Sequence, residues 1–485
     1  MIKNRTIYFN DARHYYLFVF EPPMSMEDAW RPIDEVAGTS IDTFIYGVAR
    51  GDGLFYPSKI GLPFGTDTHP FDSAAYYRVF YNMQSLIERG LDPLQVLIDR
   101  AHSKGMEFFP SLRMSDTPGL NQDFHVNQGG RGHMHKETRD HQFNVLKELL
   151  YDYNSDGIEL DFAAAPGGTD YWFNEQDAKT NGHVMTDWVK DVSEMARSRK
   201  GNKPAIGARI YPTEQMNTNQ GLEIKKWIEK GLIDWVVLLS YQDFKLDPDM
   251  PMDWAIDLCH ANGVSVYGML QPYSIDESAG APERVHAKPE VTRAAASNFY
   301  SKGVDGIYTW FLRWPLSSPE KQTLTEIGDH DLIKMADKNY VLRHKTEPAE
   351  SRGYGANIPV EIPHADPSKK YKIPFYVSDE FDDKAAYIKE VKLQLNIANL
   401  LSDDKLTIEL NNESLKNEPI TRSYGRPFDP YGAQLLEFDL RNIKPNTGNN
   451  ELLISLDSRP EDMSNGITIE KVELSVKYGS YPSSL

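Results

Sequence analysis

Asp156-Gly157-Ile158-Glu159-Leu160-Asp161-Phe162 decides how everything before Pro348 is read. Apolar residues at helical spacing over His141–Tyr151 precede it, and Ala163-Ala164-Ala165-Pro166-Gly167-Gly168 follows, a run that continues neither a helix nor a strand. The stretch is therefore a short strand that ends in a loop. Glu159 and Asp161 share parity on it, so both carboxylates face one side. A buried charge must be paired or functional, and two acids aimed together at the C-terminal end of a strand make a catalytic floor.

Outward from that strand, β-like runs alternate with amphipathic helical runs, the pattern of βα units around a parallel sheet. The predicted strands are Tyr15–Phe20, Thr43–Val48, Met106–Arg113, Gly157–Phe162, Ala205–Tyr211, Trp235–Tyr241, Val264–Leu270 and Gly306–Leu312. Helices are predicted over 93–104, 141–151, 184–199, 222–230, 252–262 and 289–302, several stopped by Lys-Gly or Asn-Gly. Eight such units close into a (β/α)8 TIM barrel of the α/β class. The long insertions 49–81, 114–139 and 163–183 all follow strands, where this fold builds its active face. Past Pro348 the helical spacing gives way to alternating strands with Asn-Asn, Pro-Asn and Gly-Asn turns. The expected division is a catalytic barrel over 1–345, a linker over 346–357, and a jelly-roll-like β-sandwich over 358–485.

The 485 residues exceed one ordinary core, and the net charge of −19 disfavours a nucleic-acid partner. No run approaches the ~18 apolar residues of a membrane helix, so no membrane partner is expected. Cys259 stands alone, which excludes an internal disulfide and predicts a buried structural thiol. The start of the chain lacks the basic, apolar and small-residue sequence of a leader; a secreted protein without its leader would look the same, so periplasmic, secreted and cytoplasmic locations all stay open. The oligomeric state is not legible.

The Asp-Gly-Ile-Glu-Leu-Asp-Phe strand resembles the fourth-strand motif of TIM-barrel glycoside hydrolases. It is similar to the glycosylhydrolase-like family 10 group, whose strand reads Asp-Gly-(Ile/Val)-x-x-Asp, and more distantly to chitinase family 18, with Asp-Gly-x-Asp-x-Asp-x-Glu. The similarity extends to Ser240-Tyr241-Gln242-Asp243-Phe244 at the sixth strand and to Val304–Trp310 at the eighth. Ala163 stands where the chitinases carry their acid glutamate, so the resemblance does not imply their N-acetyl-assisted mechanism. It implies hydrolysis of O-glycosyl bonds in a carbohydrate by two carboxyl groups, with a catalytically silent sugar-binding barrel as the alternative.

Asp161 is the expected catalytic carboxylate, and Glu159, one layer deeper, is expected to pair with a barrel arginine. A second carboxyl group must stand ~5–9.5 Å away; Asp243 and Glu214 are the candidates, with Asp276 and Glu277 behind them. Arg50, Arg113, Arg209 and Arg313 end or follow strands, so each faces the pocket or an acid. Four arginines outnumber the internal acids visible in the sequence, which suggests an anionic substrate, sulfated or uronic. Aromatics suited to sugar C–H faces crowd the same loops, among them Tyr211, Tyr241, Trp172 and Trp310. His125, His133 and His135 share one loop with no acid or cysteine at matching spacing, so no metal or other cofactor is expected and His133 is assigned to substrate contact. In the sandwich, Tyr424, Phe428 and Tyr431 form a loop that either touches glycan or packs on the barrel, and the lack of a stacking platform favours the latter.

Overall fold

The computed structural model describes residues 2–11, 16–50, 53–124, 132–163, 173, 175–201, 203–239, 244–276, 283–311, 313–345, 353–382, 385–426 and 431–480. Eight parallel strands close into a barrel: β1 (Arg5–Asp11), β2 (Thr43–Gly47), β3 (Glu107–Arg113), β4 (Gly157–Asp161), β5 (Ala205–Ile210), β6 (Trp235–Leu238), β7 (Ser265–Leu270) and β8 (Gly306–Thr309), with β1 paired to both β2 and β8. Seven of the eight fall where the apolar runs predict. The exception is the first: the apolar run predicted as a strand over 15–20 carries a short helix, Tyr16–Val19, and β1 lies before it. The inward residues of β1 include Arg5 and Asp11, and these charges break the apolar signature that marks the other strands.

Alternation gives each strand two jobs. Outward residues such as Phe44, Phe108, Ile158, Leu160, Ala208 and Val236 join the main core under the surrounding helices. Inward residues fill the barrel, where Ile7, Phe9, Ile45, Phe109, Trp235, Tyr267, Tyr308 and Trp310 form a core of their own. Gly207 makes that filling possible, because a Cβ there would stand 1.9 Å from the Trp235 ring. Below this aromatic layer Arg5 closes the N-terminal end, its Nε 2.8 Å from Glu107 and its Nη1 donating to Tyr267 at 2.8 Å. Cys259 is a buried free thiol on the helix Asp253–Ala261, as expected. No helix of the described residues is long and apolar enough to cross a membrane.

The C-terminal part is antiparallel. One sheet orders β9 (Lys338–Val341), β17 (Ile467–Tyr478), β12 (Ile388–Ala398), β15 (Ala433–Asp439) and β14 (Ile420–Tyr424), with β10 (Val360–Ile362) also on β17. The other places β11 (Tyr371–Val377), β16 (Gly448–Ser458) and β13 (Lys405–Leu410) side by side. Residues 338–341, counted with the barrel in the sequence division, are therefore a strand of the second sheet system. The helix Pro289–Lys302 joins the two parts: Ala294 packs into the sandwich core, Ser297 accepts from Ser378 at 2.8 Å, and Asn298 donates to the carbonyls of Pro248 and Tyr376, both at 3.0 Å. Tyr424 and Tyr431, expected against the barrel, are 68% and 96% exposed, Tyr424 on β14 at the outer edge of its sheet; Phe428 lies outside the described residues.

Candidate active site

Register sets Asp161 between Arg113 on β3 and Arg209 on β5, and Glu159 between Ser111 and Gly207. With glycine opposite Glu159, the Arg209 side chain can lie across both acids. Its Nε stands 2.9 Å from Glu159 Oε1 and its Nη2 2.8 Å from Asp161 Oδ2. Nη2 also donates to Ser111 Oγ at 3.0 Å, and the guanidinium carbon lies 4.0 Å from the Phe9 ring centroid. These three charged side chains are essentially sealed, at 0–1% exposure. Burial raises the pKa of Glu159, against the pull of Arg209, and the neighbouring Asp161 charge adds to the rise. Ser111 Oγ donates to Glu159 Oε1 at 2.6 Å and the Tyr308 hydroxyl donates to the same oxygen at 3.3 Å, while Glu159 Oε2 has no hydrogen-bond partner among the described residues. For Arg209 burial acts downward, yet the two carboxylates outweigh it and the guanidinium stays charged.

A second acid–arginine pair lies at the same barrel end. Asp11, the last residue of β1, is buried with Oδ2 2.5 Å from Arg113 Nη2. The chain leaving β3 then turns back: Met114 N donates to the Asp161 carbonyl at 3.0 Å, and Asp116 N to the Arg113 carbonyl at 3.0 Å. This turn brings Asp116 into the field of Arg113, Asp11 and Asp161. Ser115 Oγ donates to its Oδ1 at 3.2 Å, whereas its Oδ2 is buried without a hydrogen-bond partner among the described residues. Burial, reinforced by the Asp11 and Asp161 charges and opposed by Arg113, pushes the Asp116 carboxyl up to about 7.

The sequence reading contains neither Asp11 nor Asp116. Asp11 carries a signal, since it continues the inward parity of Ile7 and Phe9; Asp116 sits in an aperiodic turn and carries none. Of the expected residues, Asp161, Glu159, Arg113 and Arg209 come together. Asp243, Tyr241, Trp172 and Glu277 lie outside the described residues, as does the side chain of Asp276. Glu214 is exposed and opens the helix Glu214–Asn219, whose N-terminus is capped by Thr213. Arg50 is half-buried in a two-residue hairpin with Gly53–Leu54, and Arg313 is exposed, 3.8 Å from Glu320. Trp310 is buried inside the barrel, its Nε1 donating to Gln271 at 3.0 Å, and Tyr211 is buried in the outer core. His133, expected to touch substrate, is instead fully buried beside the Trp188 ring, and burial lowers its pKa to about 3. It stands neutral within the protein.

The charge count also changes. Asp11, Asp116, Glu159 and Asp161 face Arg113 and Arg209, so among the described residues this barrel end holds more acid than base. Chemically, it holds an Asp161 carboxylate ion-paired with Arg209 and, nearby, an Asp116 carboxyl that burial pushes up to about 7.

Fold and site together define a (β/α)8 barrel with a charged C-terminal mouth and an antiparallel β-sandwich behind it. No protein-family profile matches the chain, and no curated protein matches it. Solved structures of similar fold include a cycloisomaltooligosaccharide glucanotransferase from Paenibacillus sp. (11% identity, TM-score 0.35, over 98% of this chain and 58% of that one). Others are the α-L-fucosidase isoenzyme 2 from Paenibacillus thiaminolyticus (11%, 0.42, 68% and 48%) and the C-terminal domain of a putative chitinase from Desulfitobacterium hafniense DCB-2 (12%, 0.43, 68% and 99%). The chain spans 58% and 48% of the length of the first two. At such identities and TM-scores the likeness carries no argument.

Proposed function

We propose that this chain is a glycoside hydrolase in which Asp161 is the ionised carboxylate at the anomeric carbon and Asp116 is the proton donor, with the barrel before Lys338 as the catalytic unit and the sandwich as its accessory. The observation that carries the reading is the meeting of two carboxyl groups in unlike surroundings at one barrel end, Asp161 paired with Arg209 at 2.8 Å and Asp116 buried at Oδ2 and pushed up to about 7. As the bond from the anomeric carbon to the leaving oxygen breaks, that oxygen takes the Asp116 proton. Asp161 stabilises the positive charge that develops on the sugar, and water supplies hydroxyl to the carbon and a proton back to a carboxylate. Asp243, the sequence's candidate at the end of the sixth strand, is the rival donor.

A second reading, a silent sugar-binding barrel, draws on one fact: Asp161 is 1% exposed and already ion-paired, as a purely structural carboxylate would be. An anionic glycan is a narrower form of the proposal, and it loses its original support because Arg113, Arg209 and Arg313 all face acids. The experiment is a screen of purified protein against neutral, uronic and sulfated polysaccharides with product analysis, repeated with Asp161→Asn. New reducing ends from the wild type and none from the variant are expected; cleavage by neither leaves the silent barrel.

A further inference from the structure

The two sheets of the sandwich are unequal. One extends to β14, whereas the other stops at β13, whose outer edge carries only the two-residue stub Glu413–Ser414, paired with Leu410 and Glu409. Among the described residues, no strand pairs with the outer edge of Lys405–Ile408. The inner face of β14 is left uncovered as a result. Ile420 and Arg422 stand directly across from Phe438 and Leu436, which belong to the sandwich core, so all four side chains point inward. Yet Ile420 is 51% exposed, and Arg422 is exposed with it. The same opening holds a cavity of about 420 Å³, walled by Leu400, Leu406, Ile408, Leu415, Leu436 and Phe438 and bordered by Ile420, Arg422 and Lys416.

The charges around this hollow are unequal as well. Both acids in its wall are committed: Asp404 lies 3.3 Å from Arg459 Nε and accepts from Leu401 N at 2.8 Å, and Glu418 accepts from the backbone N–H groups of Arg441, Asn442 and Ile443. Arg422 donates to the neutral Gln434, and among the described residues neither it nor the exposed Lys416 is paired with an acid. In a chain of net charge −19 this opening is cationic. Three features therefore meet in one place: an unpaired strand edge, an apolar hollow beside it, and two cations at its border. An extended polypeptide segment answers all three, since its main chain pairs with the edge and every second side chain points into the hollow. A small apolar molecule would fill the hollow but leave the edge unpaired. Charged side chains also guard exposed edges against stray pairing. Such a guard turns away every strand, whereas cations beside an apolar hollow admit a strand that carries acid.

We propose that the sandwich binds an extended acidic segment of another polypeptide by strand addition to β13, with apolar side chains entering the hollow and a carboxylate meeting Arg422. This inference is independent of the chemistry assigned to the barrel. The probe is a labelled, capped peptide, Thr-Leu-Thr-Glu-Thr-Leu-Thr, whose extended form turns both leucines and the glutamate to one side. It is titrated into the full chain by fluorescence anisotropy, beside one form with Lys in place of Glu and one of the same composition with the leucines adjacent. The wild type should bind the Glu peptide at least about tenfold more tightly than either control, and its lead over the Lys form should narrow as salt is raised. Arg422→Glu changes an exposed side chain and should weaken the Glu peptide about tenfold while it strengthens the Lys form; Arg422→Gln serves if that variant fails to fold, and should weaken the Glu peptide alone. No saturable binding, equal binding of the Glu and Lys forms, or affinity unchanged in a folded Arg422 variant overturns the proposal. A dimer of the chain alone that Arg422→Glu dissociates would seat a second copy on this edge and overturn the outside partner.

Discussion

Asp116→Asn should gain stability relative to the wild type as pH rises to neutrality, while it loses turnover of every substrate whose leaving group needs a proton. In the folded protein burial lifts the Asp116 carboxyl from 3.8 to about 7. Between those values the folded state binds a proton that the unfolded chain releases, so unfolding releases protons and wild-type stability falls as pH rises. The fall runs from roughly pH 4 to pH 7 and stops above, where both states are ionised. The window spans about three units at about 1.4 kcal/mol each, an upper bound near 4 kcal/mol; water reaching a partly buried side chain reduces this to about 2 kcal/mol. An asparagine cannot ionise, so the variant lacks this decline. Chemical denaturation of both proteins from pH 4.5 to 8 reads the difference, which should grow in favour of the variant by about 2 kcal/mol and then level off. A difference that stays flat or shrinks with rising pH refutes the elevated carboxyl. On substrate, the wild type should lose activity as pH climbs past 7, while the variant should retain cleavage only of aryl glycosides whose leaving group needs no proton. Equal loss on good and poor leaving groups would assign Asp116 to structure.

Arg209→Met orphans two buried carboxylates, so a loss of at least about 3–5 kcal/mol is expected, shrinking as pH falls because protonation removes the uncompensated charges; calorimetry at pH 5 and pH 8 checks the sign. Glu214→Gln alters an exposed helix-start residue and should leave kcat within about twofold, whereas Asp161→Asn should lower it by several orders of magnitude. Truncation before Lys338 uncovers the face of the helix 289–302 that holds Ala294 and Asn298, and the shortened chain should aggregate; a monodisperse, active barrel would contradict the packing. Matched sulfated and desulfated forms of one glycan should be cleaved at similar rates, since the mouth arginines already have acid partners; strong preference for the sulfated form would restore the anionic substrate.

What the sequence makes legible is whatever repeats with a period. Seven strands, the closure into a barrel and the change of texture after Pro348 all follow from apolar alternation, and parity alone turns Glu159 and Asp161 to one side. β1 escapes because its inward positions include Arg5 and Asp11, which serve the polar closure below and the charged mouth above. That same escape distorts the arginine count. Counting Glu159 and Asp161, even with Asp243, leaves four arginines against too few partners, although Asp11 stands against Arg113.

The sealed ion pairs also set the stability expected for Asp161→Asn. Near-isosteric exchange at a strand end suggests a variant with unaltered melting, but that presumes a carboxylate facing solvent or ligand. Asp161 instead shares a sealed guanidinium with Glu159, so the amide removes half of the compensation for a buried cation. A loss of about 1–3 kcal/mol should accompany the loss of turnover, the range for a charged hydrogen-bond partner removed from the interior. Melting alone therefore cannot separate a catalytic from a structural Asp161, and ligand binding must. If the variant still binds the wild-type substrate with comparable affinity while cleaving none, the carboxylate acts on the reacting carbon; if binding and stability fall together, it only holds Arg209 in place.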